Sequence, residues 1–134
     1  MEAVVDILSD SKFPVSRSVI RERVVDVLAK NGVKGKVYVS VAVVGDRKMR
    51  WMNKKFRDKD YTTDVLSFPT NDPSQNIDDE GFVYSGEGER VLGDVLVSYP
   101  QALMMASRLN QMVDQVVADL VEHGMMHLLG QHHD

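Results

Sequence analysis

All four histidines of the 134-residue chain fall in its last twelve residues, in the run EHGMMHLLGQHHD. His123 and His127 are four apart, a spacing that on a helix projects both imidazoles from one face, one turn apart. Gly130 follows at a point where a glycine in the left-handed conformation can end the helix, so that the chain folds back and brings His133 toward the pair. Three imidazoles so arranged form a metal site that keeps an open position for water or substrate. Histidines near a helix C-terminus can also do no more than complement its dipole. That reading accounts for one histidine, not for three in register with a turn-forming glycine. The chain has no cysteine, which excludes thiolate sites and disulfides and leaves imidazole and carboxylate as the only ligands for an ion.

The spacing H-x-x-x-H-x-x-G-x-x-H is also that of the metzincin proteases, in which a Glu directly after the first His is the general base. Here that position is Gly124. Glu122 precedes the first ligand and is rotated by about 100° from it around the helix. Peptide hydrolysis by that route is therefore disfavoured and requires a carboxylate from elsewhere. Three neutral imidazoles leave a divalent ion its full charge, which suits an anionic phosphodiester: the ion polarises a phosphoryl oxygen and lowers the pKa of a bound water.

A net charge of -4 argues against a nucleic-acid partner until its distribution is considered. Residues 46–60 (DRKMRWMNKKFRDKD) carry seven Lys or Arg against three Asp, which leaves the rest of the chain at -8. Such a run is either a solvated helix face or a local phosphate footprint on an otherwise repelling surface.

The elements that must position these groups follow from periodicity. Residues 3–8 and 36–44 are rich in β-branched residues and predict strands, as do 64–68, stopped by Pro69, and 91–98, where Gly93 marks a bulge or a close backbone approach. Apolar residues at helical spacing predict helices from Ser16 to about Lys30, from Asp46 to about Phe56, from Pro100 to about Leu109, and from Asn110 to about Leu129. Val113, Val116, Val117, Leu120, Val121 and Leu128 form the apolar stripe of the last helix, and Met104, Met105, Met112, Met125 and Met126 read as core fillers. Residues 70–90, with six acidic residues against one Arg, predict a long surface loop in which 82–84 is a short extended piece. Strands alternating with helices predict an α/β fold, a small mixed sheet of about four strands packed with helices, in a single domain over residues 1–134. The metal site then lies at the C-terminal helix and the turn after it. The opening residues lack the pattern of a secretory signal and no segment is long and apolar enough to span a bilayer, so a soluble, cytoplasmic protein is expected.

HGMMHLLGQHH resembles the signature H-G-x-L-H-L-x-G-x-D-H of the YbeY family of bacterial rRNA-maturation endoribonucleases. Residues 52–69 (MNKKFRDKDYTTDVLSFP) look like the block around that family's functional arginine, and LGDVLVS (92–98) like its Leu-Gly-Asp strand. The resemblance implies cleavage of single-stranded RNA in rRNA maturation and ribosome quality control, with rRNA or ribosomal subunits as partners. It implies one zinc ion per chain on His123, His127 and His133, and it makes Arg57 the functional arginine. Three imidazoles by themselves also suit nickel or copper. A guanidinium grips a phosphate through a bidentate fork, which a Lys does less well. Two departures stand out: the Asp before the last signature His is His132 here, which places a fourth imidazole beside the ligand set, and family members usually run on past the motif, which would leave this site more open. Asp64 and Asp94, inside the family-like blocks, either orient a ligand imidazole or cap a turn. Two other readings remain: a non-catalytic, metal-stapled module that binds RNA or the ribosome, and a metallopeptidase.

Overall fold

The computed structural model describes residues 1–70 and 89–130 in full, and the backbone of residues 76–77 and 83–84 between them. β1 (Glu2–Ser9) leads through α1 (Arg17–Lys30) to β2 (Lys36–Val44), and the two strands pair in parallel. A parallel pair needs a crossover of this kind, because no tight turn can join its ends. α2 (Asp46–Arg57) leads to β3 (Val65–Pro69). β6 (Glu89–Ser98) then inserts between β2, to which it is parallel, and β3, to which it is antiparallel, giving the order β1-β2-β6-β3. β4 (Asn76–Ile77) and β5 (Val83–Tyr84) form a separate two-stranded pair within the loop expected over 70–90; the remainder of that loop lies outside the described residues. The chain continues through α3 (Tyr99–Leu109) to α4 (Val113–Leu128). The expected α/β class and four-stranded mixed sheet are thus observed.

Strand alternation sorts the side chains into two layers. Val37, Val39, Val41 and Val43 of β2, with Val95 and Val97 of β6, face one large core shared with Ile20 and Val24 of α1 and Val117, Val121 and Met125 of α4. Leu66 of β3 and Leu96 of β6 face the other way, into a smaller core closed by Met49 of α2. Each fully buried Val contributes about 1.5–3 kcal/mol relative to exposure, so the β2 and β6 valines fix which face of each strand meets α4. Of the expected core methionines, Met125 is fully buried and Met105 and Met126 pack against the core. Met104 and Met112 do not: they are 59% and 77% exposed, on α3 and at the N-cap of α4. Helical periodicity could not separate them, because the short α3 buries only Tyr99, Ala102 and Ala106.

The caps follow local chemistry. Ser16 accepts from the Val19 amide at the start of α1, and Ser98 from the Gln101 amide at the start of α3, which begins one residue before Pro100. Gly93 is both a bulge and a close approach. The β2–β6 register skips Leu92, Gly93 has φ +139°, and a Cβ there would sit 2.1 Å from the Phe68 carbonyl oxygen. Because that conformation belongs almost only to glycine and the obstacle is backbone, Gly93→Ala is expected to destabilise the protein by about 3 kcal/mol or more. Urea unfolding measures it, and a loss below about 1 kcal/mol would show that β3 can yield.

Candidate metal centre and cleft

α4 lies across the sheet with Gly124 against it. A Cβ at Gly124 would come within 2.6 Å and 3.1 Å of the two γ-methyls of Val95 and 3.4 Å of Val65 Cγ2. The position that carries the general base in H-E-x-x-H enzymes is here turned into the sheet, where only a hydrogen fits. Glu122 points the other way, accepting from Arg23 of α1 at 3.2 Å. Gly124→Ala sets the overpacking cost of about 1–3 kcal/mol against a gain in helix propensity of about 1 kcal/mol. A net destabilisation of up to about 2 kcal/mol is expected in urea unfolding; a more stable variant would mean that α4 does not need its close seat on β3 and β6.

That close seat carries His123, exposed, and His127, half-buried, to the edge of the sheet. Their ring centroids are 4.7 Å apart, tilted by 49°. Two imidazoles bound to one ion at about 2.0–2.1 Å place their centroids roughly 5 Å apart, so the pair has the spacing for a shared ion without a change of helix geometry. α4 ends as expected: Gly130 has φ +81° and its amide donates to the His127 carbonyl. Among the described residues no three His, Cys, Asp or Glu come together as a metal site. His132 and His133 lie outside the described residues; of the expected ligands the structure describes His123 and His127, whose spacing fits a shared ion.

The opposite wall of the cleft comes from the end of α2 and from β3. α2 stops at Asp58, in the left-handed conformation (φ 56°), whose amide donates to the Lys54 carbonyl. Asn53, 2% exposed, donates its side-chain amide to the Tyr61 carbonyl at 2.8 Å and ties the following turn to the helix. Arg57 Nη2 donates to the Ser67 carbonyl at 2.6 Å, and its guanidinium carbon lies 5.6 Å from the Phe68 ring centroid. Held this way, Arg57 lines the same cleft as His123 and His127, with Lys59, Tyr61 and Thr63. The described residues of that lining offer imidazole, guanidinium and ammonium, and no carboxylate is among them.

Several of these residues escaped the sequence reading. Asn53, Lys59, Tyr61 and Thr63 were not singled out, although Asn53 stands four residues before Arg57, hence on the same helical face. Asp94 does not line the cleft with His123 and His127. It lies two residues before Leu96 on the α2 side of β6, opposite Val95, and borders a hollow with Met52, Phe56 and Phe68. Asp64 is not part of the cleft lining: its carboxylate accepts from the Thr63 hydroxyl at 3.4 Å and its carbonyl from the Ser98 amide. The basic segment also divides. Only Arg57 and Lys59 of its seven cations reach the cleft, whereas Arg47, Arg50 and Lys54 line a neighbouring groove that shares Tyr61 with it. Arg50 and Lys54 both pair with Asp60, and the hydrogen bond from Arg50 holds that carboxyl below the usual carboxylate range.

The family model for Endoribonuclease YbeY matches residues 8–134. An Endoribonuclease YbeY from Alkaliphilus oremlandii is 36% identical over 96 residues, covering 72% of this chain and 58% of the relative. One from Moorella thermoacetica is 35% identical over 106 residues, covering 79% and 66%. One from Roseiflexus sp. is 33% identical over 120 residues, covering 90% and 72%. The chain thus spans somewhat less than two thirds of the length of the first two. The solution structure of a Thermotoga maritima protein superposes with a TM-score of 0.56 at 26% identity, covering 98% of this chain and 75% of that one. A paired-histidine helix, a glycine seated on the sheet and an arginine held at the sheet edge occur in a chain matched nearly end to end, and on that match the chain belongs to the YbeY endoribonuclease family.

Proposed function

We propose that the chain is a metal-dependent endoribonuclease that cleaves single-stranded RNA in the cytoplasm, acting in rRNA maturation and ribosome quality control. The observation that carries this reading is the common cleft of His123, His127 and Arg57, cationic and without a carboxylate among its described residues. His123, His127 and His133 would hold one zinc ion, which would supply a Lewis acid and lower the pKa of water at the site. Arg57, fixed through Nη2 to the Ser67 carbonyl, keeps its other donors for a non-bridging phosphate oxygen and stabilises the charge that builds there. Lys59 adds a second positive charge at the same wall. Among the described residues no helix is long and apolar enough to cross a membrane, which is consistent with the proposed location.

The test is cleavage of a labelled single-stranded RNA and of casein, each with and without chelator. RNA cleavage that stops on chelation and returns with zinc is expected. Cleavage of casein but not RNA would replace this reading with a peptidase. Salt-sensitive RNA binding without cleavage would leave a metal-stapled binding module. A 2′,3′-cyclic phosphate on the product would assign the attack to the substrate's own hydroxyl rather than to water.

A further inference from the structure

The groove beside the cleft is lined by Arg47, Arg50, Trp51, Lys54, Tyr61 and Thr62, together with Asp46 and Asp60. Trp51 and Tyr61 are both 56% exposed, although neither is needed to close the cores described above. The Lys55 ammonium lies 4.6 Å from the Trp51 ring centroid, and Lys55 itself does not line the groove. The charges are unevenly balanced. Asp46 is held by the hydroxyls of Thr62 and Ser98 and by the Gln101 amide, and Asp60 is shared by Arg50 and Lys54. Arg47 has no ion-pair partner among the described residues. The wall between groove and cleft is preorganised. Tyr61 borders both, its carbonyl is held by buried Asn53, and the next residue, Thr62, is tied to Asp46. The groove volume, about 640 Å³, lies in the range of sites that take a whole small ligand.

We infer that this groove is a nucleotide subsite, in which an unpaired base of the substrate strand stacks on Trp51 while Arg47 meets its phosphate, next to the cleft that holds the scissile phosphate. This rests on the proposed reading of the cleft as an RNA site. An exposed indole among cations is the combination that binds single strands with little sequence preference, because every base offers a π-face and every nucleotide a phosphate. An internal base pair has both faces covered by its neighbours, so the groove would select single strands over duplex.

Trp51 is the only tryptophan of the chain, so its fluorescence reports stacking directly. The metal-loaded protein is titrated with a short 2′-O-methyl oligoadenylate, with the matching blunt RNA duplex and with inorganic polyphosphate, and binding is followed in parallel by anisotropy of labelled oligomer. The single strand is expected to quench the tryptophan, and duplex and polyphosphate are not. Trp51→Ala should weaken single-strand binding by about 5- to 100-fold, while Trp51→Phe retains most of it. Oligomer binding without quenching, equal quenching by polyphosphate, or unchanged affinity in Trp51→Ala would each overturn the subsite and leave the RNA reading standing. No oligomer binding together with no RNA cleavage would remove both.

Discussion

His123→Ala and His127→Ala are each expected to lower metal affinity by more than about 100-fold, the upper range already reached when only a hydrogen-bond partner of a ligand is removed. RNA cleavage should fall with the metal. Neither imidazole belongs to the core, so both variants should fold, with urea midpoints in the metal-free state close to that of the parent. Elemental analysis and single-turnover cleavage check the two halves of the expectation. Near-stoichiometric zinc in either variant would remove that histidine from the site. The third donor is open to the same measurement: His133→Ala should lose more metal than His132→Ala, and the opposite ranking would transfer the role to His132. Chelation of the unaltered protein should reproduce the loss of cleavage.

Arg57→Ala is expected to separate the metal from the chemistry. The guanidinium lines the cleft and is fixed by the Ser67 carbonyl. Its removal should leave zinc bound and cost about 10²-fold or more in turnover, the scale of one preorganised group that stabilises developing charge. Arg57→Lys should recover little. A single ammonium cannot keep the Ser67 bond and at the same time present a planar fork to a phosphate. The loss should fall on kcat rather than KM if the contact strengthens in the transition state. Near-normal turnover by a folded, zinc-loaded Arg57→Ala protein would reduce the residue to a link between α2 and β3, worth about 1 kcal/mol of stability.

The histidine pair was legible in the sequence because its spacing is local. His123 and His127 lie one turn apart on one helix, and the positive φ of Gly130 follows from the residue type that tolerates it. Local chemistry likewise marked β2 within its observed bounds and the starts of α1 near Ser16 and of α2 at Asp46, since β-branching and helix-start signals act over a few residues. The resemblance named Arg57, but not why it lies beside the histidines. That depends on β3 closing the sheet edge, so that its Ser67 carbonyl faces the end of α2 while Val65 meets α4. The meaning of Gly124 was half readable: the sequence shows that a glutamate is missing, and only the packed structure shows that Val95 leaves no room for one. The sequence could not tell on which face of β6 Asp94 lies, since alternation gives two faces without saying which helix covers each. It could not separate exposed Met104 and Met112 from buried Met125, nor divide the basic segment between a cleft and a groove. Spacing along one element fixes what shares a face. Which faces meet is decided by long-range burial, to which residues far apart in the chain contribute together.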